Sequence, residues 1–383
     1  MKPPRAALAA ALFALLAGAA APPETAGASY VPRDKDERGL WMQAEEYERQ
    51  LTTSNFVIRD PALNAYVRDV FCRTVGAAEC APVRIYLMRT AFFNANMAPN
   101  GAMQVWSGLF LRVRDEAQLA SVLSHEYVHY ANLHGLKSFR DIKSKTGTMA
   151  WLGFVPFGFI AQLGMIGSIF SYNREMELEA DASSVSLVAK AGYAPASASL
   201  IWAQLRAEMD ATAAARGKKS RKDKDGGMFA THPPTAERMT QLAALAKKQK
   251  VAGEPVTNRD AYRAALAPWW AAFIDDQIKL NDFGATEFLL ANMAAEGWTS
   301  ELLYARGELY RVRGRPEDLK QAATFYGQAV AAERPPIEAW RGLGLALLRS
   351  GSQAEGRTAL KEYLARKPDA GDRAMITMLA GEN

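Results

Sequence analysis

The stretch Ser124-His125-Glu126-Tyr127-Val128-His129 decides how the rest of this chain is read. On a helix, residues four apart lie one turn apart on one face, so His125 and His129 can offer both imidazoles to a single metal ion. Glu126 sits between them, where it can reach a water at that ion and take its proton. The flanking residues predict the helix on their own account. Asp115 and Gln118 resemble a capping box, and Leu119, Val122, Leu123 and Val128 recur at near-helical spacing. Gly135 stands where a C-terminal cap would fall. The competing reading is a helix with two incidental surface histidines. The chain has only four histidines, and His134 falls just beyond the pair, so their clustering argues against it.

A catalytic zinc site takes three protein ligands and keeps one position open, so His125 and His129 need a partner. One known solution places a glycine three residues and a histidine six residues after the second histidine. Asn132 and Gly135 occupy those positions, which excludes it. The next candidate is Arg174-Glu175-Met176-Glu177-Leu178-Glu179-Ala180-Asp181. On a helix Glu177 and Asp181 share a face while Glu179 points elsewhere. One carboxylate could bind zinc and the other hold the far nitrogen of a ligand histidine. A solvated acidic first turn, favoured by the helix dipole, explains the same residues.

The 383 residues suggest two or three domains, and the +5 net charge is too modest to imply a nucleic-acid partner. Lys2 and Arg5 precede an uncharged run from Ala6 to Ala21, followed by small residues that allow cleavage after Ala19 or Ala28. We read residues 1–28 as a signal peptide for export. Cys72 and Cys80 are the only cysteines, and in an exported chain they permit a disulfide, with two free thiols as the alternative. Glu37 to Thr53 and Pro61 to Val75 read as amphipathic helices. Pro82 to Arg89, Phe92 to Ala98 and Ala102 to Trp106 read as strands, the last two forming a hairpin through Pro99-Asn100-Gly101. Asn94 and Asn96 are either solvent-facing strand residues or flank an edge strand along which a substrate backbone lies. No charged residue occurs between Lys145 and Arg174, where we expect a buried or membrane-peripheral hairpin rather than a span. Arg216 to Lys224 reads as a solvated basic linker, with contact to anionic lipid as the sharper alternative.

From Ala264 on, amphipathic helices rich in alanine and leucine take over. Gly307 and Gly344 hold matching places, each followed by a second helix carrying Tyr326 or Tyr363, and the helices from Trp269 to Met293 would be a degenerate third unit. A period in the mid-thirties resembles tetratricopeptide repeats, whose concave surface would hold a protein partner or substrate.

The motifs occur in an order that resembles the HtpX/BepA-type gluzincin metallopeptidases, from about residue 40 to residue 250. They are Phe93-Asn94-Ala95, Ala98-Pro99-Asn100-Gly101, Gly108-Leu109, the His125–His129 motif, Glu177 to Asp181, and Thr231-His232-Pro233-Pro234 with Arg238. The resemblance implies an α+β fold, a mostly helical zincin-type domain with a small antiparallel sheet, here over residues 29–255. An all-α tetratricopeptide-like domain over 256–383 would follow it. It implies one Zn2+ held by His125, His129 and Glu177, with Glu126 as general base and Asp181 as the partner of a ligand histidine. It makes His232 either an inhibitory fourth ligand or part of the turn before the next helix. Polypeptides, among them outer-membrane proteins or their assembly machinery, would be the partners.

Overall fold

The computed structural model describes residues 30–146, 172–220 and 235–381. The expected signal peptide, most of the apolar run before Arg174, and His232 lie outside the described residues. Among the described residues no helix is long and apolar enough to cross a membrane.

Helix α1 (Lys35–Thr53) starts at Asp34, whose side chain accepts from the backbone of Asp36 and Glu37. It buries Leu40, Trp41, Ala44, Tyr47 and Leu51 along one stripe. Helix α2 (Pro61–Val75) is capped by Asp60, with Pro61 at a position where no N–H is needed. A single turn, α3 (Ala77–Cys80), follows, and Cys72 is joined to Cys80 with Cα atoms 5.0 Å apart.

Strands β1 (Arg84–Met88), β2 (Ala95–Met97) and β3 (Ala102–Trp106) form one sheet in the order β1-β3-β2. β2 and β3 make the expected hairpin, closed by Ala98–Gly101 with Gly101 at φ 90°. The sheet is mixed, not antiparallel as expected: β1 pairs with β3 in parallel, Arg84 opposite Ala102. Topology causes this. The chain leaves β1 for the far edge, reverses through the hairpin, and returns into the middle, so β3 meets β1 running the same way. The central strand β3 is buried over Ala102–Val105, which suits its nearly continuous apolar sequence. Its one polar residue, Gln104, donates to the Tyr47 hydroxyl at 2.8 Å.

After the short turn α4 (Ser107–Phe110), helix α5 (Glu116–Ala131) carries the histidine motif. Asp115 caps it through the Gln118 N–H, and the Gln118 side chain reaches back to the Arg114 N–H. The end differs from expectation. Gly135 is not the cap: Leu133 takes the left-handed conformation, φ 54°, and α6 (His134–Thr146) starts at once. A left-handed leucine costs on the order of 1 kcal/mol. The fully buried leucine side chain in the core offsets that cost.

Helices α7 (Arg174–Lys190), α8 (Ser197–Ala215) and α9 (Ala236–Lys248) close around α5. The core around α5 continues without a break through Tyr262, Phe273 and Leu289 to Leu309. Buried Arg112 ties the two halves, donating to Glu208 of α8 at 2.6 and 2.9 Å and to Gln277 at 3.2 Å. Beyond it, Ser300–Arg313 pairs with Asp318–Ala331 and Ile337–Ser350 with Gln353–Arg366. A Cβ on Gly307 or Gly342 would meet the Tyr326 ring at 2.6 and 2.7 Å, so these glycines let the helices close on one buried aromatic.

Candidate metal centre

Helix α5 is buried around nearly its whole circumference, so both motif histidines point into protein rather than water. His125 Nε2 and His129 Nε2 lie 3.0 Å apart. Glu177, from the first turn of α7, brings Oε1 to 3.3 Å from His129 Nε2 and Oε2 to 3.6 Å from His125 Nε2. Asn173 sets that turn by accepting from the Met176 N–H. Among the described residues this is the one cluster of three or more His, Cys, Asp or Glu able to hold a metal ion. The donor set fits zinc: a tetrahedron with zinc bonds of about 2.0–2.1 Å has edges of about 3.3 Å. Two imidazoles and one carboxylate leave one position of such a tetrahedron open, the arrangement of catalytic rather than structural sites.

Each motif histidine is held from behind. His125 Nδ1 is 3.1 Å from Asp181 Oδ1, one turn after Glu177. Asp181 in turn accepts from Arg238 Nε and Nη2, both at 2.8 Å. Arg238 Nη1 lies 3.2 Å from Glu177 Oε2, and the guanidinium sits 4.0 Å over the Trp202 ring. Burial alone would raise the Asp181 carboxyl, but the charges of Arg238 and His125 hold it at about 2. Burial would lower His125, yet Asp181 and Glu177 outweigh it and raise the ring to about 9. His129 is backed by His134, Nδ1 to Nδ1 at 2.9 Å, and Tyr172 stacks on its ring at 3.7 Å and 10°. Burial, then the charges of Glu126 and Glu177, push the Tyr172 hydroxyl far up, so it stays neutral. Burial lowers His134 despite the counter-pull of Glu179.

A cleft of about 520 Å³, open mouth included, lies against His125, Glu126 and Asp181, with Phe93, Ile201 and Trp202 among its apolar walls. Asn94 and Ala95 border it at the start of β2, an edge strand. Asn96 does not line the cleft. Sequence reasoning singled out the two histidines, Glu126, Glu177 and Asp181, which the structure brings to one place. It quoted Arg238 without a role and missed the His134–Glu179 and Tyr172 contacts. The signal available for Arg238 was its place three residues after the Thr235 cap, which turns it inward with Leu242.

The profile of Peptidase family M48 matches residues 58–246, the part of the chain that builds this centre. The chain is 31% identical to the putative beta-barrel assembly-enhancing protease of Vibrio cholerae over 167 residues, covering 40% of this chain and 34% of that protein. It is 28% identical to the beta-barrel assembly-enhancing protease of Escherichia coli over 174 residues, 41% of this chain and 36% of that one. Against the mitochondrial metalloendopeptidase OMA1 of Schizosaccharomyces pombe it is 24% identical over 183 residues, 46% and 51%. The match thus spans about a third of the length of the first two relatives. The geometry of the cluster and the matched residues agree, and residues 58–246 form a domain of peptidase family M48, similar to the HtpX/BepA type.

Proposed function

We propose that this protein is a zinc-dependent endopeptidase of the cell envelope, cutting misfolded or misassembled proteins exported to the periplasm. The observation that carries the reading is the convergence of His125, His129 and Glu177 beside a cleft that also contains Glu126. When bound, one zinc ion per chain supplies Lewis acidity to the scissile carbonyl and acidifies the attacking water. Glu126 takes the proton of that water as it attacks and delivers it to the leaving amine. Asp181 keeps His125 in the tautomer that offers Nε2 to the ion, and Arg238 keeps Asp181 ionised and in place. The substrate backbone lies along β2 near Asn94, with a side chain in the apolar cleft. The names of the relatives support envelope proteins as substrates, and the expected export signal supports the compartment.

In the same proposal residues 29–255 are the peptidase and 256–383 a tetratricopeptide-like platform for substrate or assembly machinery. His232 is the inhibitory fourth ligand. A second reading is favoured by the paired helices that close on Tyr326: a periplasmic holdase acting through that platform, with a latent, His232-blocked metal site.

One experiment separates them. Wild type, Glu126→Gln and His232→Ala are incubated with zinc and an unfolded outer-membrane protein. Cleavage by wild type that falls by at least about 100-fold in Glu126→Gln supports the peptidase. Cleavage only by His232→Ala supports a latent one. Suppressed aggregation with no cleavage by any of them supports the holdase.

A further inference from the structure

We propose that His134 is the positioning residue of His129 and passes control of that ligand to Glu179 at the surface. The inference rests on the metal reading above.

For His129 to offer its Nε2 lone pair toward His125 and Glu177, the proton of its neutral ring must sit on Nδ1. That nitrogen faces His134 Nδ1 at 2.9 Å. Two facing nitrogens share one proton, so if His129 donates, His134 Nδ1 is bare and the His134 proton sits on Nε2. His134 Nε2 lies 3.2 Å from Glu179 Oε2. The other Glu179 oxygen accepts from Asn132 Nδ2 at 2.7 Å, so the carboxylate is held at both ends. A carboxylate only accepts, and it therefore sets the direction of the whole chain: His129 donates to His134, and His134 donates to Glu179. The opposite direction would put a proton on His129 Nε2, where the metal must bind.

The backbone is built for this contact. On an unbroken helix, residues five apart point about 140° away from each other. His134 meets His129 only because Leu133 adopts φ 54° and restarts the chain as a new helix. The stacked ring of Tyr172 fixes the plane of His129, which leaves the tautomer as the remaining freedom. The two ligand histidines are thus supported differently. His125 leans on a buried carboxylate, whereas His129 leans on a fully buried imidazole whose own partner is half exposed, 51% for the Glu179 side chain.

The test uses the full chain labelled with 15N-histidine, whose four imidazoles are resolved by long-range 1H–15N correlation. With zinc bound, His129 is expected to be protonated at Nδ1 and His134 at Nε2; a proton on His134 Nδ1 overturns the proposal. Zinc affinity by chelator competition gives a second readout. His134→Phe keeps the ring shape without an acceptor and should weaken zinc binding about 10–100-fold. His134→Asn puts an amide oxygen where Nδ1 was and should recover most of that loss. Glu179→Ala, at the surface, should weaken binding in the same direction by a smaller factor. If circular dichroism shows that His134→Phe does not fold, Glu179→Ala and the tautomer measurement decide. Wild type that binds zinc while Glu179→Ala and His134→Phe bind it equally well overturns the relay alone. Wild type that binds no zinc overturns the metal reading beneath it.

Discussion

His125 is the residue at which opposing forces are closest to view. Burial favours its neutral ring, while Asp181 at 3.1 Å and Glu177 at 3.6 Å favour the cation and win, raising it from 6.5 to about 9. A folded-state value above the unfolded one means that the proton stabilises the folded, metal-free protein. That contribution is complete below pH 6.5 and is lost as pH rises through about 9. The melting temperature of metal-stripped protein is therefore expected to fall across that window, and less steeply in Asp181→Asn. Zinc-loaded protein, in which the ion has displaced the proton, should lack this component. A melting temperature of the stripped protein that climbs between pH 6.5 and 9 contradicts the assignment. At this scale the motif histidines and Glu126 were legible because their geometry is local to one helix. Arg238, 113 residues from the imidazole it faces, and Glu179, 45 residues from His134, were not. Helical spacing says which residues share a face, but not which distant chain that face meets.

Between β1 and α5, close backbone contact adds to the packing of large buried side chains such as Leu87, Phe93 and Leu109. Gly108 donates its N–H to Thr90, and a Cβ there would lie 2.2 Å from the Ala91 carbonyl oxygen and 2.4 Å from that of Phe92. Those carbonyls lead into Asn94 and β2, so a methyl group would push that strand outward. Gly108→Ala is expected to destabilise the protein by about 1–3 kcal/mol, seen as a lower urea midpoint. Gly39, inside α1 with open space around its Cα, is the opposite case. Gly39→Ala should stabilise by about 0.5–1 kcal/mol through helix propensity. If both substitutions moved the midpoint the same way, the packing argument at Gly108 would fail. The helices and the hairpin were readable from periodicity, caps and the Pro-Asn-Gly turn. The parallel β1–β3 pairing was not, because alternation predicts a strand but not its neighbour. The end of α5 was misread for a related reason. Gly135 looked like the natural cap, yet buried Leu133 took the left-handed turn, and no local signal marks a leucine whose side chain is anchored in the core.

Across the whole molecule, one continuous core joins the helices around the metal centre to the first helices of the C-terminal part. The Arg112–Glu208–Gln277 cluster and the Tyr262 hydroxyl, which donates to the Phe110 carbonyl at 2.6 Å, bind the same two regions with polar contacts. The paired helices beyond them were legible from the matching positions of Gly307 and Gly344. Their attachment was not, since it depends on Phe110 stacking with Phe273 far along the chain. Everything proposed for the molecule depends on two imidazoles from α5 and a carboxylate from α7 gripping one ion together. The most direct measurement is the zinc content of purified, folded protein, determined by elemental analysis for wild type and Glu177→Ala. The account predicts one zinc per wild-type chain, and in the variant a loss of most of that zinc with circular dichroism unchanged. A folded wild type that remains free of zinc after equilibration with it, or a Glu177→Ala protein that keeps a full equivalent, would contradict the account.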